Sequence, residues 1–112
     1  MKETFEFIRA QLLFFLILFH ISSFGAFSEI VVETHIEKAD AHAKQHDFTQ
    51  AIGSLLNALE VDPRCVEAYL KLGDLFFNIG KIGEAVESYS VILQIQPNTF
   101  TAQDRLNAII HY

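Results

Sequence analysis

Three histidines carry the metal-ligating chemistry this chain could offer. His35, His42 and His46 stand seven and four positions apart, and Asp47 follows the last. On a helix, His42 and His46 share a face one turn apart, which is the spacing of two ligands to one metal ion. Such a site needs a further ligand and second partners to orient the rings, and none is spaced for it. A histidine-based metal site therefore ranks behind packing and turn roles for these residues. Ser22, Ser23, Ser54, Ser88 and Ser90 have no histidine–acid pattern beside them for nucleophilic catalysis. Gly80-Lys-Ile-Gly83 has the composition of a phosphate loop but lacks the Gly-Lys-Ser/Thr ending and the preceding strand. The single cysteine, Cys65, cannot form an internal disulfide. It reads as a small residue in a first helical turn, with an intermolecular disulfide as the sharper reading in an oxidising compartment. Glu33, Asp40, Glu67 and Asp74 are spaced as a recurring face, not as an acid/base pair. The sequence points to a non-enzyme with no cofactor and no metal.

The elements that would position these residues repeat. Shifting the chain by one fixed period aligns Glu33 with Glu67, Ala39 with Gly73 and Asp40 with Asp74. The same shift aligns Ala51 with Ala85, Leu59 with Leu93 and Pro63 with Pro97. Residues 30–46 place Val32, Ile36, Ala39 and Ala43 on one stripe, the pattern of an amphipathic helix. Asp47 followed by Gln50 has capping-box spacing and predicts a second helix from Phe48 to Val61. Pro63 suits a first helical position, so the next helix is expected from Pro63 to Ile79, ended by Gly80 in a left-handed cap. Ile82 to Ile95 follows, and Asn98 or Thr99 caps a last amphipathic helix from Phe100 to Tyr112. The fold class is all-α.

The N-terminal stretch, 1–28, differs from the rest. Lys2 and Arg9 precede an unbroken apolar run, Leu12 to Phe19, and small or polar residues follow to Ser28. This order is that of a secretory signal peptide, with cleavage expected after Gly25 or Ser28. The rival is an uncleaved anchor over residues 10–27, which at about 1.5 Å per residue falls just short of a hydrocarbon core of about 30 Å. Both place residues 30–112 on the non-cytoplasmic side, exported to a periplasm, a lumen or the outside, because positive charge precedes the run.

The chain has 8 Lys and Arg against 14 Asp and Glu, a net charge of −6. The side-chain charges of residues 1–28 cancel, so the acid excess belongs to the repeats. That balance argues against nucleic acid as a partner, since phosphate needs Lys and Arg.

The period, the paired alanines and the paired prolines resemble the tetratricopeptide repeat family. The resemblance covers about 32–65 and 66–99, with 100–112 as a half-repeat. Tyr69, Leu72, Gly73, Phe76, Ala85, Tyr89 and Pro97 make the second copy nearly complete. The first departs at His35, Lys38 and His42, which stand where Tyr69, Leu72 and Phe76 do. Ile92 replaces a small residue, Ala58 in the first copy. The resemblance implies a short α-solenoid in which Ala39 or Gly73 meets Ala51 or Ala85 at a helix crossing. It implies a scaffold that binds a protein or peptide on its concave face. Glu33, Ile36, Glu37, Asp40, Glu67, Leu70, Lys71, Asp74, Phe77 and Asn78 are the expected groove residues. Only Lys44, Lys71 and Arg105 could supply positive charge there, and a carboxylate would meet like charge at Glu33, Asp40, Glu67 and Asp74, so the expected ligand is basic and apolar rather than a carboxylate terminus. The alternative is a structural role: self-association through the C-terminal helix, or a subunit of an envelope assembly.

Overall fold

The computed structural model describes the backbone of residues 2–111 and the side chains of residues 6–18 and 25–111. Five helices are present among them: α1 Lys2–Lys44, α2 Phe48–Val61, α3 Val66–Asn78, α4 Ile82–Ile95 and α5 Phe100–Ile110. The chain divides into two units, Met1–Ile30 and Val31–Tyr112, and α1 contributes to both.

In the first unit, Phe7, Ile8 and every residue from Leu12 to Leu18 are exposed. Among the described residues no helix is long and apolar enough to cross a membrane. Met1, Tyr112 and the side chains of Phe19 to Phe24, with Ser22 and Ser23 of the expected processing region, lie outside the description.

In the second unit the sequence period is structural. Ala51, Leu55, Ala58 and Ala68 form one core with Val32, Ile36, Ala39, Leu72 and Leu75. The same register, moved on by one repeat, gives the second core: Ala85, Tyr89, Ile92 and Ala102. The fully buried Ile92 shows that a larger residue is accommodated where Ala58 stands in the first copy.

The turns repeat as well. At the end of α3 the Lys81 amide donates to the Phe76 carbonyl and the Gly80 amide to that of Phe77. Gly80 has φ +81, so this is the Schellman cap that the glycine predicts. At the end of α1 the Asp47 amide donates to the His42 carbonyl and the His46 amide to that of Ala43. His46 adopts φ 58. It occupies the glycine position of the first repeat, a role its side chain does not announce. Asp47 then caps α2, its Oδ1 accepting from the Gln50 amide at 3.2 Å. The reciprocal half of the capping box is absent, because the Asp47 amide is already committed to His42.

One expected boundary moves, and one expected cap takes another form. Pro63 does not open α3. Asp62 Oδ1 accepts from the Arg64 amide at 3.1 Å, holding Pro63 and Arg64 in a turn, and α3 begins at Val66 with Cys65 as its N-cap. Tyr69 Oη fastens this turn by donating to the Pro63 carbonyl at 3.0 Å. Thr99 caps α5 through its backbone position, while its hydroxyl donates backwards to the Gln96 carbonyl.

Candidate functional site

The leading helices of successive repeats, α1, α3 and α5, are joined by ion pairs at one register position. Lys71 Nζ donates to Asp40 Oδ1 at 2.9 Å and to Oδ2 at 3.1 Å. One repeat on, Arg105 Nε donates to Asp74 Oδ1 at 3.0 Å. Each cation follows its carboxylate at the same separation along the chain, so the pair is part of the repeat itself. Lys71 also lies 4.0 Å from Glu67. These side chains are about a third to a half exposed, so each pair stabilises the stack by about 1 kcal/mol at most.

The second pair has an additional partner. Tyr89, on α4, is 1% exposed and its Oη donates to Asp74 Oδ1. Burial, reinforced by the Asp74 hydrogen bond and charge, pushes the Tyr89 phenol well above its ordinary value. The hydrogen bond to Asp74, then its charge, raises the Arg105 guanidinium too. The Tyr89 ring lies on Gly73: a Cβ there would come within 2.7 Å of Tyr89 Cζ and 2.8 Å of Cδ1. The expected partner of Gly73 was Ala85. The structure also matches this glycine to the Tyr89 ring, where the first repeat has Ala39 and Leu55 by register. Ala51 and Ala85 are fully buried.

Two clefts open beside these pairs. One, of about 130 Å³, is lined by Ala39, Asp40, Ala43, Leu55, Lys71, Asp74, Leu75 and Asn78. The other, of about 370 Å³, is lined by Asp74, Phe77, Asn78, Tyr89, Arg105, Ala108 and Ile109. Asp74 and Asn78 of α3 border both.

Of the ten expected groove residues, five come together here: Asp40, Lys71, Asp74, Phe77 and Asn78. Ile36 does not, because it is 7% exposed and belongs to the first core. Leu70 packs on the second core. Glu33, Glu37 and Glu67 are exposed and line neither cleft. Tyr89, Ala108 and Ile109 were not anticipated, although the period could have placed all three, as they follow Leu55, Asp74 and Leu75 by one repeat. Arg105 was anticipated as a cation but not as the partner of Asp74.

The histidine constellation does not gather. His42 Nδ1 is 4.0 Å from Asp47 Oδ2, and His46 meets the Phe48 ring edge-on at 5.9 Å. Among the described residues no group of three or more His, Cys, Asp or Glu side chains could hold a metal ion. Cys65 is half-buried against the first core.

Comparison with known proteins agrees with the helical repeat. A model of the tetratricopeptide repeat matches residues 36–98. A protein O-mannosyl-transferase of Caenorhabditis elegans is 26% identical over 105 residues, 85% of this chain and 15% of that protein. That share exceeds what residues 31–112 can supply, so the likeness extends into the N-terminal unit. Small glutamine-rich tetratricopeptide repeat-containing protein 2 of Saccharomyces cerevisiae is 30% identical over 67 residues, 60% of this chain and 19% of that protein. The chain thus spans less than a fifth of the length of the curated relatives it matches. Among solved structures, the first such domain of Spaghetti (RPAP3), bound to an HSP90 peptide, SRMEEVD, superposes with TM-score 0.65. It is 25% identical, and the match covers 71% of this chain and 64% of that one. MamA superposes with TM-score 0.68 at 22% identity, over 71% of this chain and 47% of that one, a likeness of fold.

Proposed function

Since the chain belongs to the tetratricopeptide repeat family, and so to a class of protein-interaction scaffolds, we propose that it binds a peptide segment of a partner across the groove of α1, α3 and α5. The preferred ligand is apolar and basic. One observation carries this choice: both cations that line the clefts, Lys71 and Arg105, are already held by Asp40 and Asp74. A ligand carboxylate entering the groove must compete with those acids for the same cations, and the exposed Glu33, Glu37 and Glu67 repel it from the flank. The Spaghetti domain was solved with a peptide ending in Glu-Glu-Val-Asp, so its ligand is the natural comparison. Calorimetric titration of the full chain with SRMEEVD and with an apolar–basic peptide of equal length, at low and high salt, tests the reading. The apolar–basic peptide is expected to bind more tightly, with an advantage that shrinks as salt screens the acids. Tighter binding of SRMEEVD overturns it.

The chain acts without catalysis in this reading. The activity in the mannosyl-transferase's name is not carried over, because the chain matches 15% of that protein. We also propose that the repeats lie on the non-cytoplasmic side of a membrane, exported by cleavage near Gly25 or Ser28 or held by residues 10–27. The support is the apolar run Leu12 to Leu18, exposed within its own unit, after Lys2 and Arg9. N-terminal sequencing of the chain from its native host tests this, and a soluble cytosolic product that keeps Met1 sinks it.

A further inference from the structure

The outer face of α5 is apolar at both ends and polar in the middle. In α3, Val66, Tyr69 and Phe76 pack on the second core and Gly73 lies against the Tyr89 ring. One repeat on, the same four positions of α5 hold Phe100, Gln103, Asn107 and Ile110. Phe100 is 81% exposed and Ile110 74%, and both amides between them are exposed as well. Ala102, Leu106 and Ile109, on another side of α5, pack on the second core. A further stacked repeat fits this outer face poorly. Asn107 stands where Ala39 and Gly73 let a neighbouring side chain close in, and an apolar helix laid there would bury two amides without partners. A lipid surface fails for the same reason.

The pattern does fit itself. Spacings of three, four and three are those of the a and d positions along which two helices pair. The four residues are also symmetric about Arg105: Phe100 and Ile110 each stand five positions from it, Gln103 and Asn107 two. Two copies of α5 laid antiparallel across a twofold axis therefore set Phe100 against Ile110 of the second copy, and Gln103 against Asn107 of the second copy, each contact made twice. The amides complete the match. Within one chain Gln103 Nε2 donates to Asn107 Oδ1 at 3.2 Å. Gln103 Oε1 then remains to accept and Asn107 Nδ2 to donate, so the four amides of two copies close one ring of hydrogen bonds. A parallel pairing sets acceptor against acceptor. Polar residues at such seam positions fix register and orientation. Arg105 and Ala108 of the larger cleft lie on another side of α5, so the pairing leaves that cleft open.

We propose that α5 is a dimerisation helix, which pairs antiparallel with α5 of a second copy across a twofold axis near Arg105. This interface is independent of the groove reading. A helix of 11 residues covers less than the roughly 800 Å² per partner of a standard interface, so the dimer is weak and dissociates on dilution. Each chain carries a net charge of −6 and Asp104 flanks the contact, so screening salt should strengthen it. Sedimentation equilibrium of the full chain, from low to high micromolar concentration, measures the association. Ile110→Lys, at an exposed position, is expected to weaken it about tenfold or more while leaving the melting temperature of the dilute chain unchanged. Leu16→Lys, in the exposed run of the N-terminal unit, should leave the association as it is. Disulfide trapping in a Cys65→Ser background tests the orientation. In the antiparallel pair like positions at the helix ends are about 15 Å apart, beyond the reach of a disulfide, whose Cα atoms lie within about 7 Å. An equimolar mixture of Phe100→Cys and Ile110→Cys chains should therefore yield mostly the mixed covalent dimer. A chain monomeric at every concentration overturns the proposal, as does association that survives Ile110→Lys or is lost in Leu16→Lys instead. A random mixture of disulfides, or mostly like-with-like ones, overturns it too.

Discussion

Gly73→Ala adds one carbon at the tightest point of the second repeat. The new Cβ would lie 2.7 Å from Tyr89 Cζ and 2.8 Å from Cδ1. A flexible side chain could step aside, but this ring is 1% exposed and its hydroxyl is fixed on Asp74, which also holds Arg105. Overpacking of a pinned ring sits at the upper end of the usual cost, about 3 kcal/mol. Alanine returns about 1 kcal/mol through its helix propensity. The net loss is then about 2 kcal/mol, which lowers Tm by about 8–16 °C for a repeat unit of this size. The first repeat supplies the control, since Ala39 and Leu55 occupy the same two positions. Tyr89→Leu made together with Gly73→Ala rebuilds that pairing. The double variant should be more stable than the two single changes sum to, by about 1–3 kcal/mol. Urea unfolding of the four proteins measures the cycle. A Gly73→Ala chain that melts at or above the parent temperature, or a cycle with no coupling, refutes the argument that the ring sets the residue at 73.

The left-handed cap at His46 makes His46→Gly stabilising by about 1 kcal/mol, less the edge contact with Phe48, and Gly80→Ala destabilising by a similar amount; paired urea midpoints check both. Tyr89 is a phenol whose folded pKa lies above its ordinary 10.0. Its contribution to stability is therefore intact below about pH 10 and is lost as pH climbs toward the folded value. Tyr89→Phe should flatten the alkaline decline of Tm, and an unchanged decline would count against the buried hydrogen bond. Asp74→Asn weakens the links to Arg105 and Tyr89 together. It should cost more than Asp40→Asn, which weakens one half-exposed pair worth about 1 kcal/mol at most, and denaturant titration ranks the two.

Much of this organisation is legible in the chain because the repeat is written at several levels at once. Apolar spacing, buried alanines and the Gly80 cap each report local backbone geometry, and the structure bears out each of them. What the sequence hid are choices that each residue type leaves open and the surrounding structure makes. Nothing in Pro63 says that Asp62 will hold it in a turn outside α3, since proline is equally at home in either place. Nothing in His46 marks a left-handed residue, because histidine in that conformation is uncommon and is selected by the chain reversal around it. Ile36 and Leu70 share their faces with groove positions, and packing against the neighbouring helices takes them into the core. The pairing of Arg105 with Asp74 was within reach, since Lys71 and Asp40 stand at the same separation one repeat earlier. It needed the two pairs to be compared rather than each acid to be read alone.

The central claim is that the concave face of α1, α3 and α5 is the binding surface. Amide chemical-shift mapping of the isotope-labelled full chain, titrated with the apolar–basic peptide, tests it most directly. Shifts should concentrate at Asp40, Ala43, Lys71, Asp74, Phe77, Asn78, Arg105 and Ala108, with little change at Leu56 and Glu87 on α2 and α4. Shifts centred on α2 and α4, with the cleft residues unmoved at saturation, would contradict it.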